Sequence, residues 1–162
     1  QIVADEGVKI VFTSAGSPKK WTGWLHERGI TVVHVVSSSR FAVKAEEAGV
    51  DAIVAEGSKP GAQVEGGDYH PVPDTTVRAV TTLPLIAAGG IATGEAMLAA
   101  GAGAEGVQIG TRFALTAESS ANEVFKDLLA LEEGDTRLLL KKLAPVRLVR
   151  NNFRSAVEAA EA

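Results

Sequence analysis

The 162 residues leave room for one domain with a sizeable core, and an apolar share of 46% is that of an ordinary globular chain. A net charge of −4 and a pI near 5.4 argue against nucleic acid as the main partner, which would call for a basic surface. The absence of cysteine excludes disulfides, thiolate nucleophiles and sulfur-ligated zinc, and fits a reducing cytoplasm. No apolar run reaches the roughly 18 residues of a membrane span. The first residues, Gln1 to Glu6, carry neither a basic nor an apolar leader region, so no signal peptide is expected. Without an initiator Met, the chain is expected to be a fragment or a processed form.

In chain order, short runs rich in β-branched residues alternate with helical patterns. Strands are expected at 9–13 (KIVFT), 31–36 (TVVHVV), 51–55 (DAIVA), 83–88 (LPLIAA) and 106–110 (GVQIG). Near-continuous apolar strands imply burial on both faces, as in a parallel sheet. A helix is expected over 18–28, with Ser17 as N-cap and Gly29 after its end, and a second over 40–48 before Gly49. Further helices are expected at 75–80, 93–100, 119–131, 135–143 and 153–160, Pro145 stopping the one before it. Strand and helix alternating at this spacing indicate βαβ units, with an all-helical last stretch of about 45 residues. The long segment 57–74 follows a strand and holds Gln63, Glu65, Asp68 and His70. At the C-terminal end of a parallel strand, such a loop faces the ligand.

Two turns carry the chemistry. Ala87-Ala88-Gly89-Gly90 closes a strand ahead of a helix that Thr93 can cap. Glycine there lets backbone N–H groups approach an anion without a Cβ in the way, and a helix start adds partial positive charge. One βα unit later, Gly110-Thr111-Arg112 offers a further N–H, a hydroxyl and a positive charge, with Gln108 just before it. Two such turns on consecutive strands make a phosphate site of the kind that (β/α)₈ barrels carry after strands seven and eight.

The run Asp51-Ala52-Ile53-Val54-Ala55-Glu56-Gly57, then LPLIAAGGIATGEAMLAA, then GAEGVQIGTRF, resembles the nitronate monooxygenase family, formerly called 2-nitropropane dioxygenase. That family is similar to the FMN-dependent enoyl-acyl-carrier-protein reductases. Phe12-Thr13-Ser14-Ala15-Gly16-Ser17-Pro18 is similar to its fourth strand and following loop, and the likeness covers roughly residues 7–127. The resemblance implies an α/β fold of parallel (β/α)₈ TIM-barrel type, incomplete at about five βα units. Residues 1–162 would be one partial FMN-binding domain, with 118–162 as its helical C-terminal segment. FMN would be held by Gly61, Ala88, Gly89, Gly90, Gln108, Gly110 and Thr111, with Ala62 also near the flavin.

Gln63 stands where the family has its catalytic histidine, and an amide orients a substrate but does not act as a base near neutral pH. His70, seven residues on, is the other candidate on that loop. The helix over 75–80 is short, and 99–104 is one residue shorter than the family form. The activity implied is oxidation of an alkyl nitronate by flavin and dioxygen. The alternatives are an FMN- and NAD(P)H-dependent enoyl-acyl-carrier-protein reductase and a non-catalytic flavin- or phosphate-binding remnant. The partner expected is a small molecule, not nucleic acid or a membrane, with a second copy or another chain covering open sheet edges.

The remaining residues have structural readings. His34 is expected to point into packing or toward a helix, and His26 to lie on a polar helix face. Trp21 and Trp24, at i, i+3, are expected to pack their helix on the sheet. Lys141, Lys142, Arg147 and Arg150 are expected to form a solvated basic face, and no metal-ligand spacing is found.

Overall fold

The computed structural model describes residues 1–56, 74–100, 103–131, 136–140 and 146–161. Its contacts group into two units, 1–110 and 111–162. The first unit is a five-stranded parallel sheet in chain order: β1 (Ile10–Thr13), β2 (Thr31–Val36), β3 (Ala52–Glu56), β4 (Leu85–Ala88) and β5 (Gly106–Gln108). All five expected strands are present, each trimmed or shifted by a residue or two except β2, which has the expected bounds. Helix α1 (Ile2–Asp5) precedes β1, and α2 (Thr22–His26), α3 (Ser39–Glu47), α4 (Asp74–Arg78) and α5 (Gly94–Ala100) lie between successive strands.

Both faces of the sheet are apolar, which is why the strands read as continuous runs. On one face Val32, Val36, Ile53, Ala55 and Leu85 pack with Leu25, Ala42, Ala45 and Val77 of the helices. On the other, Val33 and Val54 cluster with Ala88, Val35, Ala52 and Ile86. The alternation follows the two-residue period of a strand.

Register is pinned at the strand starts by two acidic residues. Asp51, just before β3, donates its N–H to the Val32 carbonyl, and its Oδ2 accepts from the Val32 N–H at 2.7 Å. Glu105, just before β5, does the same on β4: its N–H goes to the Leu85 carbonyl and its Oε2 accepts from the Leu85 N–H at 2.7 Å. Each carboxylate also meets a cationic or ionisable partner. His26 Nε2 lies 2.8 Å from Asp51, and Arg78 Nη2 lies 2.6 Å from Glu105. Arg78 further donates to the carbonyls of Gly103 and Leu83, tying α4 to the entries of β4 and β5. His26 thus sits on a polar helix end, as its sequence position suggests, but with a defined partner.

The expected helix over 18–28 is broken. A 3-10 turn, Pro18–Lys20, precedes α2, and Ser17 gives no side-chain cap. Thr22 instead turns its hydroxyl back onto the Pro18 carbonyl at 2.8 Å, a local bond that competes with helix continuation. Trp21 and Trp24 meet edge-to-face with ring centroids 6.4 Å apart, and Arg28 lies over Trp24. Trp24 packs against the core, whereas Trp21 stays half exposed. At α3, Ser38 caps by accepting from the Phe41 N–H.

The second unit contains α6 (Thr111–Ala114), α7 (Glu123–Leu131), β6 (Thr136–Leu139), β7 (Val146–Val149) and α8 (Asn152–Glu161). The expectation of a helix over 135–143, and of an all-helical ending, is corrected here. Leu138 and Leu139 lie in β6, which pairs antiparallel with β7. A short leucine run fits helix and strand alike, and the valines of the partner strand settle it through pairing across the ribbon. In α8 the Asn151 Oδ1 accepts from the Arg154 N–H, and buried Arg154 holds Glu158 at 3.0 Å. Of the expected basic face, Arg150 is exposed, whereas Lys141 and Lys142 lie outside the described residues. No helix among the described residues is long and apolar enough to cross a membrane.

Hydrogen bonds from Leu85 and Val32 hold the Glu105 and Asp51 carboxyls below their ordinary values, against a desolvation that works the other way and is the largest influence on Asp51. Their contribution to stability is therefore present at neutral pH and is lost as pH falls below the unfolded values of 3.8 and 4.5. Asp51→Ala leaves the buried Val32 N–H without its side-chain acceptor and is expected to cost about 1–2 kcal/mol, read as a lower urea midpoint with an unchanged slope.

Candidate functional site

Parallel strands place every C-terminal end on one rim, where ligands of parallel α/β folds bind. At the end of β4, Gly89 and Gly90 take φ values of +94° and +68° in succession. An L side chain is strained in that region, so this turn requires glycine for its own backbone. Ala88, the last residue of β4, is buried and stands in register with Gln108, the last residue of β5. Gly110 follows two residues later, and Thr111 opens α6 of the second unit. Thr93 caps α5 as its sequence position suggests, its hydroxyl accepting from the Ala96 N–H at 3.2 Å.

Gly110 differs from the glycine pair. Its φ is not in the left-handed region, and a Cβ built on it meets nothing within 4 Å. Nothing within the described protein demands glycine there. The Cβ position opens on space, as it also does at Gly23, Gly94 and Gly103. The end of β4 thus carries two residues without side chains, and a third, Gly110, follows two residues beyond the end of its neighbour β5.

Gly61, Ala62, Gln63 and His70 lie outside the described residues. The structure therefore brings Ala88, Gly89, Gly90, Gln108 and Gly110 to one rim of the first unit. Among the described residues no group of three or more His, Asp or Glu side chains is placed to hold a metal ion.

A feature the sequence reading did not use lies on the same rim, at β1–β3. A cavity of about 780 Å³ is lined by the β1 loop, the end of β2 and one side of α3. His34 forms part of its wall. It points to the helix side of the sheet, as strand alternation suggests, and is only 5% exposed. Its Nδ1 is 2.7 Å from Thr13 Oγ1. Burial pushes the imidazole below its usual value, so it is neutral at physiological pH. At the lip, Ala15 adopts φ +56° and Gly16 φ +75°. A non-glycine residue in that region is strained, and such strain gathers at functional loops. The only sequence signal for this site was the 12–18 run, which carries Thr13 but not His34.

Five parallel strands in chain order, each joined to the next through a helix, are the arrangement of a section of a (β/α)₈ barrel. The sequence pattern of the nitronate monooxygenase family matches residues 1–162, and the chain belongs to that family of oxidoreductases. A probable nitronate monooxygenase of Staphylococcus aureus (strain JH9) is 37% identical over 123 residues, covering 69% of this chain and 35% of the relative. FabK from Thermotoga maritima matches 99% of this chain and 52% of its own at 38% identity, with a TM-score of 0.87. Nitroalkane oxidase from Streptomyces ansochromogenes matches 98% and 50% at 25% identity, with a TM-score of 0.75. These neighbours are TIM barrels, and the chain spans about half of each.

Two stability predictions follow from the rim. Because His34 is neutral when folded, protons bind the unfolded chain first, so stability is complete above pH 6.5 and falls as pH drops below it. Thermal midpoints at pH 7.5 and 5.5 should differ for the wild type and differ less for His34→Gln. Gly90→Ala forces a side chain into the left-handed region and should lower stability by about 1–2 kcal/mol.

Proposed function

We propose that this chain is the FMN-phosphate-binding half of a flavin-dependent oxidoreductase that oxidises alkyl nitronates with dioxygen. The observation carrying the reading is the pair of left-handed glycines ending β4 beside Gly110 beyond the end of β5. Family membership supports reading these turns as part of a flavin site. FMN, when bound, would supply the redox chemistry, and the protein the binding and orientation. In this reading Gly89, Gly90, Gly110 and Thr111 hold the phosphate, and Ala88 and Gln108 border it. Gly61 and Ala62 approach the flavin from the long loop, where Gln63 orients the substrate through its amide and His70 is the second candidate. A cytoplasmic location belongs to the same reading. So does an edge of the sheet covered by further strands or a second copy, since Ile10 and Phe12 of edge strand β1 are exposed.

The likeness to FabK exceeds that to nitroalkane oxidase in both identity and TM-score. This favours a second reading within the same resemblance, an FMN- and NAD(P)H-dependent enoyl-acyl-carrier-protein reductase.

The purified chain incubated with FMN should retain flavin absorbance through gel filtration. Oxygen uptake with propyl nitronate is the outcome expected of the first reading, and enoyl-thioester-dependent NAD(P)H oxidation that of the second. Bound flavin with neither activity would leave a non-catalytic flavin-binding remnant. Gly110→Ala provides the sharper test of the phosphate site. It should leave the thermal midpoint unchanged, because its Cβ meets no atom of the described residues within 4 Å, and weaken FMN binding by about tenfold or more through loss of close phosphate contact. An unchanged FMN affinity would remove Gly110 from the site.

A further inference from the structure

The cavity at β1–β3 lies on the helix side of the sheet, away from the glycine turns of β4 and β5, and its chemistry identifies a ligand class. Thr13 has one hydroxyl proton and two partners: the Val33 carbonyl at 3.4 Å and His34 Nδ1 at 2.7 Å. Both bonds form together only when Thr13 donates to Val33 and His34 Nδ1–H donates to Thr13. The imidazole proton is then on Nδ1, and Nε2 carries a lone pair. Nε2 has no partner among the described residues, although the side chain is 95% buried and lines the cavity. An acceptor buried without a donor is costly, so a donor from water or ligand belongs there. A volume of about 780 Å³ is that of a small-molecule pocket and far exceeds one water.

The rest of the wall specifies what kind of donor. The hydroxyls of Ser14, Ser17 and Ser37 line the cavity and have no side-chain partner among the described residues. They offer both donors and acceptors to a ligand rich in hydroxyls. Lys19 and Lys44 are matched by Glu47 and Glu56, so the wall has no net charge to select an ion. None of these four is in an ion pair among the described residues. Phe41 presents a half-exposed ring over which Lys44 Nζ lies 5.9 Å from the centroid, and the rest of that apolar ring is left to contact a ring compound. The left-handed Ala15-Gly16 backbone forms the lip.

We propose that this cavity is a second ligand site, separate from the phosphate turns, for an uncharged, polyhydroxylated ring compound of nucleoside size. One hydroxyl or N–H of the ligand donates to His34 Nε2, and the ring lies against Phe41. Nucleosides and simple glycosides share this chemistry, so the test uses one of each.

Long-range ¹H–¹⁵N spectra of the imidazole-labelled chain are recorded at pH 7.5, first alone and then with millimolar adenosine or methyl β-glucoside. The free chain should show the Nδ1–H form of His34. One of the two probes should shift the His34 Nε2 resonance along a saturating curve, and which one does so distinguishes the sources. His34→Phe should abolish the binding measured by calorimetry, and Ser37→Ala should weaken it several-fold. If His34→Phe fails to fold, the wild-type spectra and Ser37→Ala decide the matter. The shift should persist in the chain saturated with FMN. An Nε2–H form in the free chain, the absence of a shift with both probes, or competition by FMN would overturn the proposal. None of these outcomes depends on whether nitronates are oxidised.

Discussion

The parallel ladder β1–β5 is the constraint on which everything else rests, and two carboxylates set it. A parallel strand pair has no tight hairpin to fix its register, so the offset must be fixed where strands begin. Asp51 and Glu105 do this in the same way: the backbone N–H of each bonds the carbonyl of a residue on the preceding strand, and the side chain takes that residue's N–H. A one-residue slip would break both bonds and turn every side chain to the opposite face. Because both faces here are packed, with Val32 and Val36 toward the helices and Val33 and Val54 on the other side, such a slip would also dismantle two apolar clusters.

This arrangement separates stability from function along the strands. The starts carry ion pairs and hydrogen bonds that brace the helices, with His26 from α2 and the Arg78 fork from α4. The ends carry the left-handed turns Ala15-Gly16 and Gly89-Gly90, of which only Ala15 is strained, while Gly7, Gly29 and Gly49 take the same region ahead of β1, β2 and β3. A firmly registered sheet can hold the one strained residue, Ala15, in the loop that follows β1. The same separation explains why a neutral, buried imidazole is tolerated at the end of β2, where a cavity rather than a packed helix faces it.

What could be read in the sequence was what depends on neighbours in the chain. The five strands, the capping Thr93 and the glycine pair were visible because period, hydroxyl position and residue type act locally. The ribbon of β6 and β7 was not, since Leu138 and Leu139 of β6 acquire strand character only from their partners Arg147 and Val146. The break between Pro18–Lys20 and α2 was hidden for a subtler reason: Thr22 is an ordinary helix residue until its hydroxyl turns back on Pro18. His34 could be placed on the helix side by alternation, but its bond to Thr13 joins residues 21 positions apart and comes only from the pairing of β1 with β2. The family resemblance reached the barrel and the cofactor class, whereas the cavity beside His34 lies outside any motif.

The two glycine turns look equivalent in sequence and are not equivalent in physics. Gly89 and Gly90 are explained from within, since their φ values exclude ordinary side chains whatever binds nearby. Gly110 has an ordinary φ and open space at its Cβ position, so the fold gives no reason for it. Gly23, Gly94 and Gly103 share both properties, so an open Cβ position permits an approaching ligand but does not by itself require one. What sets Gly110 apart is its place, two residues beyond the end of β5 and beside the end of β4, and the proposed phosphate contact rests on that position rather than on glycine alone.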